Sequence, residues 1–151
     1  KDPLVGPQPF CHQTTLQHGD SILRCLAVAG PSYSRCFLFS GSVDGSICVW
    51  RLPEAGLDFP LYALWQAAHR GAVSALAVSW NHLYSASADS TIAVWKLANH
   101  PSYVRRLQGN GQAIKSLCLT ETYSSGSEDP EVVQQEAAGG SRLFAGLTTG
   151  L

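Results

Sequence analysis

The chain has 151 residues with a formal net charge of −1; 45% of them are hydrophobic and only 14% charged. That length suffices for one ordinary domain with a real core, and the small charge with scattered basic residues gives no electrostatic case for nucleic acid or an anionic membrane. No apolar run approaches the ~20 residues of a membrane span, and the five cysteines (Cys11, Cys25, Cys36, Cys48, Cys118) show no CxxC spacing, so they read as reduced thiols of an intracellular, cytoplasmic or nuclear protein.

Residues 1–13, with Pro3, Pro7 and Pro9, read as an irregular lead-in or linker. Thr14 to Gln17 is a candidate outer strand, and His18 follows it. An apolar strand is predicted over Leu23 to Val28. Next comes Leu38-Phe39-Ser40-Gly41-Ser42, then the turn residues Asp44-Gly45, then Ile47-Cys48-Val49-Trp50. Asp-Gly suits a two-residue hairpin turn, because Gly accepts positive φ freely and Asp tolerates it. A further strand candidate runs from Leu61 to Gln66.

The same line is then written again. His69 precedes an apolar strand over 73–78. Leu83-Tyr84-Ser85-Ala86-Ser87, the turn Asp89-Ser90 and Ile92-Ala93-Val94-Trp95 follow. The strands are apolar or small on both faces, so both faces are covered. Four short antiparallel strands recurring after about 45 residues signal a repeat architecture, here the blade of a propeller. A third, decayed copy has Ile114 to Leu119 as its first strand and Leu143 to Gly146 as its second. Gly109-Asn110 stands at its histidine position, and Thr149 falls on the Asp position.

These residues resemble the WD40-repeat family. The Ser-Gly-Ser-x-Asp element at 40–44, its Ser-Ala-Ser-x-Asp counterpart at 85–89 and the closing Trp50 and Trp95 carry the resemblance. The family's Asp after the tryptophan is replaced by Arg51 and Lys96. The resemblance implies an all-β fold, a WD40-type β-propeller over residues 14–151, with blades at about 18–66, 69–107 and 110–151. Three blades do not close a ring. The chain opens at Lys1 and stops at Leu151 inside a strand pattern. Further repeats, domains or targeting signals are therefore expected in sequence beyond it.

His, Ser and Asp recur together, which superficially suggests a hydrolase triad. No G-x-S-x-G elbow is present, and the set occurs in two successive repeats where an enzyme needs one site. The resemblance implies a buried chain instead, from Trp indole to Ser hydroxyl to His to turn Asp, built from His18, Ser40, Ser42, Asp44 and Trp50 and from His69, Ser85, Ser87, Asp89 and Trp95. No catalytic residue, cofactor or metal site is expected. His12 beside Cys11 is one pair only. His82 and His100 fall in connections, Trp65 in an outer strand, and Trp80 at a blade edge.

Residues 120–142 differ in kind. They hold Glu121, Glu128, Asp129, Glu131 and Glu136 against the single basic Arg142. The stretch reads as a low-complexity, mobile acidic insertion. Ser124, Ser125 and Ser127 precede the Glu128-Asp129 pair, which suits an acid-directed kinase.

The function expected is a non-enzymatic scaffold for protein–protein interaction, a subunit of a larger assembly with protein partners and no small-molecule substrate. Alternatives are a substrate-recognition module of a ubiquitin ligase or signalling complex and, remotely, a propeller-based enzyme. With strands a to d counted from the inside outward, the long connections Ala29 to Cys36, Pro53 to Pro60, Ala98 to Tyr103 and Thr120 to Arg142 fall at a–b or c–d. They gather on one rim, where Tyr33, Phe59 and Tyr103 are candidate anchors for a partner.

Overall fold

The computed structural model describes residues 15–29, 36–53, 58–79, 82–97, 100–121, 136–137 and 141–147. They form three antiparallel sheets. The first is β1 (Leu23–Ala29), β2 (Phe37–Ser42), β3 (Ile47–Arg51) and β4 (Leu61–Trp65), in that spatial order. The second repeats it with β5 (Val73–Ser79), β6 (His82–Ser87), β7 (Thr91–Lys96) and β8 (Ser102–Gln108). The third holds β9 (Ile114–Glu121), β11 (Ser141–Leu147) and the short β10 (Glu136–Ala137), ordered β10-β11-β9.

Each sheet is a blade, and β5 packs against both β1 and β9. These three are therefore the inner strands, and the sheets fan out from them. Period-2 alternation sends successive side chains to opposite neighbours. Phe37, Phe39, Ile47 and Val49 leave blade 1 on one side and join Val73, Leu83, Ala93 and Trp95 of blade 2 in one buried cluster. Tyr84, Ala86, Ile92 and Val94 leave blade 2 on its other side and meet Ile114 and Leu143 of blade 3. A strand that faces a neighbour on both sides cannot alternate apolar with charged, which explains the run TIAVW of blade 2.

Gly41 makes the first of these interfaces close. A Cβ there would stand 2.6 Å from Val73 Cγ1 and 2.7 Å from Cys25 Sγ. Each inner strand also carries a register shift near its start, after Leu23, after Val73 and between the partners of Gly146 and Leu147. One extra residue there bends the strand and strengthens its twist.

Several details depart from the sequence reading. His82 lies in β6 and Tyr103 in β8, not in connections, because the ladder extends to the His82–Lys96 and Tyr103–Trp95 pairs. Thr15, Leu16 and Gln17, expected as the outer strand of a preceding blade, form no strand; an outer strand pairs with the third strand of its own blade, as β4 does with β3, and no such strand precedes them among the described residues. The β2–β3 turn is not a two-residue one. It spans 43–46, and only Gly45 has positive φ (84°). In the second copy Ser90 alone does (69°), whereas the mirror-type tight turn requires positive φ at both central residues. Finally, the sheet takes in Thr120, Glu121, 136–137 and 141–142, which composition had assigned to the insertion. Once Leu143 is registered on Leu119, each further pair joins backbone groups regardless of side chain, so the ladder runs on to Ser141 and Glu121.

Candidate functional site

Two hydrogen-bonded chains of side chains run through the first two blades. In blade 2 the Trp95 indole N–H donates to Ser85 Oγ (2.9 Å), and His69 Nε2 lies 2.8 Å from the same oxygen. His69 Nδ1 lies 3.0 Å from Thr91 Oγ1, and the Thr91 hydroxyl donates to Asp89 Oδ1 (2.6 Å). Asp89 Oδ2 stands 3.5 Å from His69 Nδ1 and accepts the Arg70 backbone N–H at 2.8 Å. Asp89 Oδ1 also takes the Thr91 backbone N–H at 3.0 Å, the bond that an Asp makes to its own backbone two residues on. The non-mirror turn leaves the carboxylate aimed back at that backbone.

Blade 1 repeats the chain with a looser end. Trp50 Nε1 lies 3.4 Å from Ser40 Oγ, beyond the usual range for an N–H···O bond. His18 Nδ1 is 2.8 Å from Ser40 Oγ, His18 Nε2 is 2.7 Å from Ser46 Oγ, and Ser46 donates to Asp44 Oδ1 (2.5 Å). The hydroxyls of Ser46 and Thr91, standing between imidazole and carboxylate, were not anticipated. Their common place two residues after the Asp was the available signal.

Ser42 and Ser87 stand outside the imidazole chains. Ser42 Oγ is within hydrogen-bond distance of Ser21 Oγ (2.5 Å) and the Ile22 carbonyl (3.2 Å). Ser87 Oγ donates to the Gly71 carbonyl and accepts the Asp89 N–H, both at 3.0 Å. They fasten each hairpin to the segment that enters its own blade.

Successive blades are joined at the same places. The His69 N–H donates to the Gly45 carbonyl (3.0 Å), and the Gly109 N–H donates to the Ser90 carbonyl (2.8 Å). Gly109, not Asn110, thus takes the histidine's place in blade 3. The entry to β9 is one residue longer than the entry to β5, which shifts the alignment by one. Asn110 Oδ1 instead accepts the Gln112 N–H at 3.2 Å. With Gly109 for His69 and Ala145 for Ser85, an apolar cleft of about 50 Å³ opens, lined also by Ile92, Leu107, Ile114 and Leu143. Thr149 lies outside the described residues.

The electrostatics suit a structural network. Burial pushes the His69 imidazole below its ordinary value, and Arg106 adds to this, against the raising pull of Asp89. Burial also lowers His18, opposed by Asp44. Burial would raise Asp89, yet the bonds from Thr91 and Arg70 hold it below the usual carboxylate range. The Ser46 bonds do the same for Asp44. Ser40 and Ser85 are buried, and among the described residues no buried side-chain nitrogen or oxygen lacks a partner. Burial raises the Cys25 thiol to about 11, so little thiolate forms at neutral pH. No group of three or more His, Cys, Asp or Glu among the described residues has metal-binding geometry.

The remaining candidates are dispersed. Tyr103 is 53% exposed and meets Trp95 edge-on, with centroids 5.5 Å apart. Phe59 is half-buried in the β3–β4 connection. His100 hydrogen-bonds the Tyr62 hydroxyl (2.5 Å), and Trp65 stacks on Trp95 at 4.1 Å and 9°. Cys11, His12, Tyr33, Trp80, Ser124, Ser125 and Ser127 lie outside the described residues.

The sequence profile of the WD domain, G-beta repeat matches residues 10–51 and 61–96, which is more than half of the chain. The chain belongs to the WD40 family. Its three sheets are blades of a WD40-type β-propeller. Among solved structures it is similar to the β-propeller domain of Myceliophteria thermophila Cps50 (Swd1), with TM-score 0.46 and 14% identity. The similarity covers 64% of this chain and 46% of that domain, so the chain spans under half the length of that relative. The computationally designed proteins Ika4 and Ika8 are each similar at TM-score 0.33 and 21% identity. Those alignments cover 89% of this chain and 99% of Ika4, and 87% of this chain and 48% of Ika8. No curated protein matches the sequence.

Proposed function

We propose that this WD40 chain is a non-enzymatic scaffold for protein–protein interaction, a subunit of a larger intracellular assembly. The observation that carries the reading is a surface. Leu26 (60% exposed), Val28, Leu61 and Leu64 lie on the side of blade 1 turned away from blade 2, on the face of Leu38, Ser40 and Trp50. The corresponding face of blade 2 is covered by blade 1. An uncovered blade face of this kind is where a further blade or another protein packs, which supports a subunit of a larger assembly. His18, Ser40 and Asp44 are engaged within blade 1, and His69, Ser85 and Asp89 within blade 2.

Because β1, β5 and β9 lie innermost, the connections after β1, β3, β7 and β9 leave on one rim. That rim carries Phe59 and Tyr103, and the proposal places the partner there. Hydrogen exchange on the intact assembly tests it. Protection is expected at 58–62 and 100–104; protection confined to 43–46 and 88–90 overturns it.

A further inference from the structure

Basic side chains converge on one side of blade 2, at the rim where the long connections leave. His82 opens β6 and pairs across the sheet with Lys96, which closes β7. Side chains alternate along each strand, so both share a face with the Tyr84–Val94 pair, the side of blade 2 that meets blade 3. Arg105 of β8 pairs with Val94 and lies on that face as well. The register shift between Val94 and Trp95 makes it the diagonal neighbour of Lys96. Diagonal neighbours stand about 7–8 Å apart, within reach of long side chains. Lys96 and Arg105 are exposed, and His82 is half-buried with its ring 6.4 Å from that of Tyr84.

Left to itself this grouping is unfavourable. Two cations on neighbouring strands repel each other. Burial lowers His82 below its ordinary value, Lys96 and Arg105 lower it further, and among the described residues no carboxylate pulls it back. The hairpin rim shows the contrast, since there His18 faces Asp44 and His69 faces Asp89. Local rules of this kind are broken chiefly at functional sites. The missing element is an anion. A net charge of −1 argues against nucleic acid, whose binding draws on many phosphate contacts at once. An extended peptide fits the geometry, because carboxylates two residues apart along it stand about 7 Å apart, the spacing of the diagonal pair.

We infer that the rim face formed by His82, Lys96 and Arg105 docks an extended acidic segment of the protein partner, one carboxylate on each cation with the His82 ring beside them. The inference rests on the partner site proposed above and adds the chemistry of what docks there.

Fluorescence anisotropy of the full chain with a labelled deca-glutamate peptide tests it. Binding is expected at low ionic strength and should weaken as salt rises. Lys96→Gln combined with Arg105→Gln should weaken it by about tenfold or more, since two charge-assisted contacts go. Lys115→Gln, an exposed lysine at the opposite end of β9, should leave it unchanged. In nitrogen-15 spectra the peptide should move the His82 ring signals and not those of His18 or His69. A peptide that fails to bind overturns the inference, as it would if the chain's own acidic stretch at 120–142 filled the cluster. Binding unchanged in the double variant overturns it too, as does a deca-thymidylate oligonucleotide held as tightly as the peptide. Rim protection at 58–62 and 100–104 in the assembly without peptide binding would leave the partner site standing and remove its acidic chemistry.

Discussion

At the scale of single residues, the Asp of each repeat does more than its distance from the histidine suggests. Asp89 accepts two backbone N–H groups and the Thr91 hydroxyl. Asp89→Ala should therefore destabilise the chain by about 2–3 kcal/mol, because buried or half-buried donors lose their acceptor. Thr91→Val, which removes one link and keeps the shape, should cost about 1 kcal/mol. Urea unfolding of both variants checks the order. The pH dependence has a definite sign. His69 and His18 are pushed below 6.5 in the folded state, so the unfolded chain binds protons first. Stability is fully present above pH 6.5 and falls as pH drops through the folded values. Asp44 and Asp89, also lowered, add a second loss below their ordinary value of 3.8. Melting temperatures across that range should fall monotonically from neutral pH into acid.

At the scale of elements, the hairpin tip is the fastener between blades. Gly45 has φ of 84°, and a Cβ there would stand 2.4 Å from the His69 carbonyl oxygen, which is backbone and cannot swing away. Gly45→Ala should cost about 2–4 kcal/mol by strain and overpacking together. Gly41→Ala should cost about 1–3 kcal/mol, since Val73 and Cys25 are side chains that can shift. Thermal melts that rank Gly41→Ala as the worse variant would contradict the fastener. The decayed blade shows the converse. Where Gly109 and Ala145 replace the imidazole and the hydroxyl, the backbone bond to Ser90 persists but the interior is left with a cleft.

At the scale of the whole molecule, the blades stack by presenting the same two rows of side chains to each neighbour, and blade 1 has one such row uncovered. Leu26 and Leu64 stand 60% and 44% exposed on it. The 151-residue chain alone should self-associate through this face and its strand edges. Sedimentation velocity should show association that rises with concentration and weakens in Leu26→Ser with Leu64→Ser. A concentration-independent monomer would argue that the face needs no cover.

Much of this was legible in the residues themselves. The recurring Leu-x-Ser-x-Ser, the acidic turns and the closing tryptophans specify strands, hairpins and repeat, because alternation and turn chemistry are local. The relation of His69 to Ser85 and Trp95 was implied by the WD40 resemblance, whose motif residues both copies carry. Tertiary structure alone decided the rest. The Ser46 and Thr91 links and the exchange of Asn110 for Gly109 depend on where the turns and entry loops lie against neighbouring strands. A one-residue difference in a loop leaves no mark on hydrophobic pattern, yet it decides which residue meets the Ser90 carbonyl of the neighbouring blade.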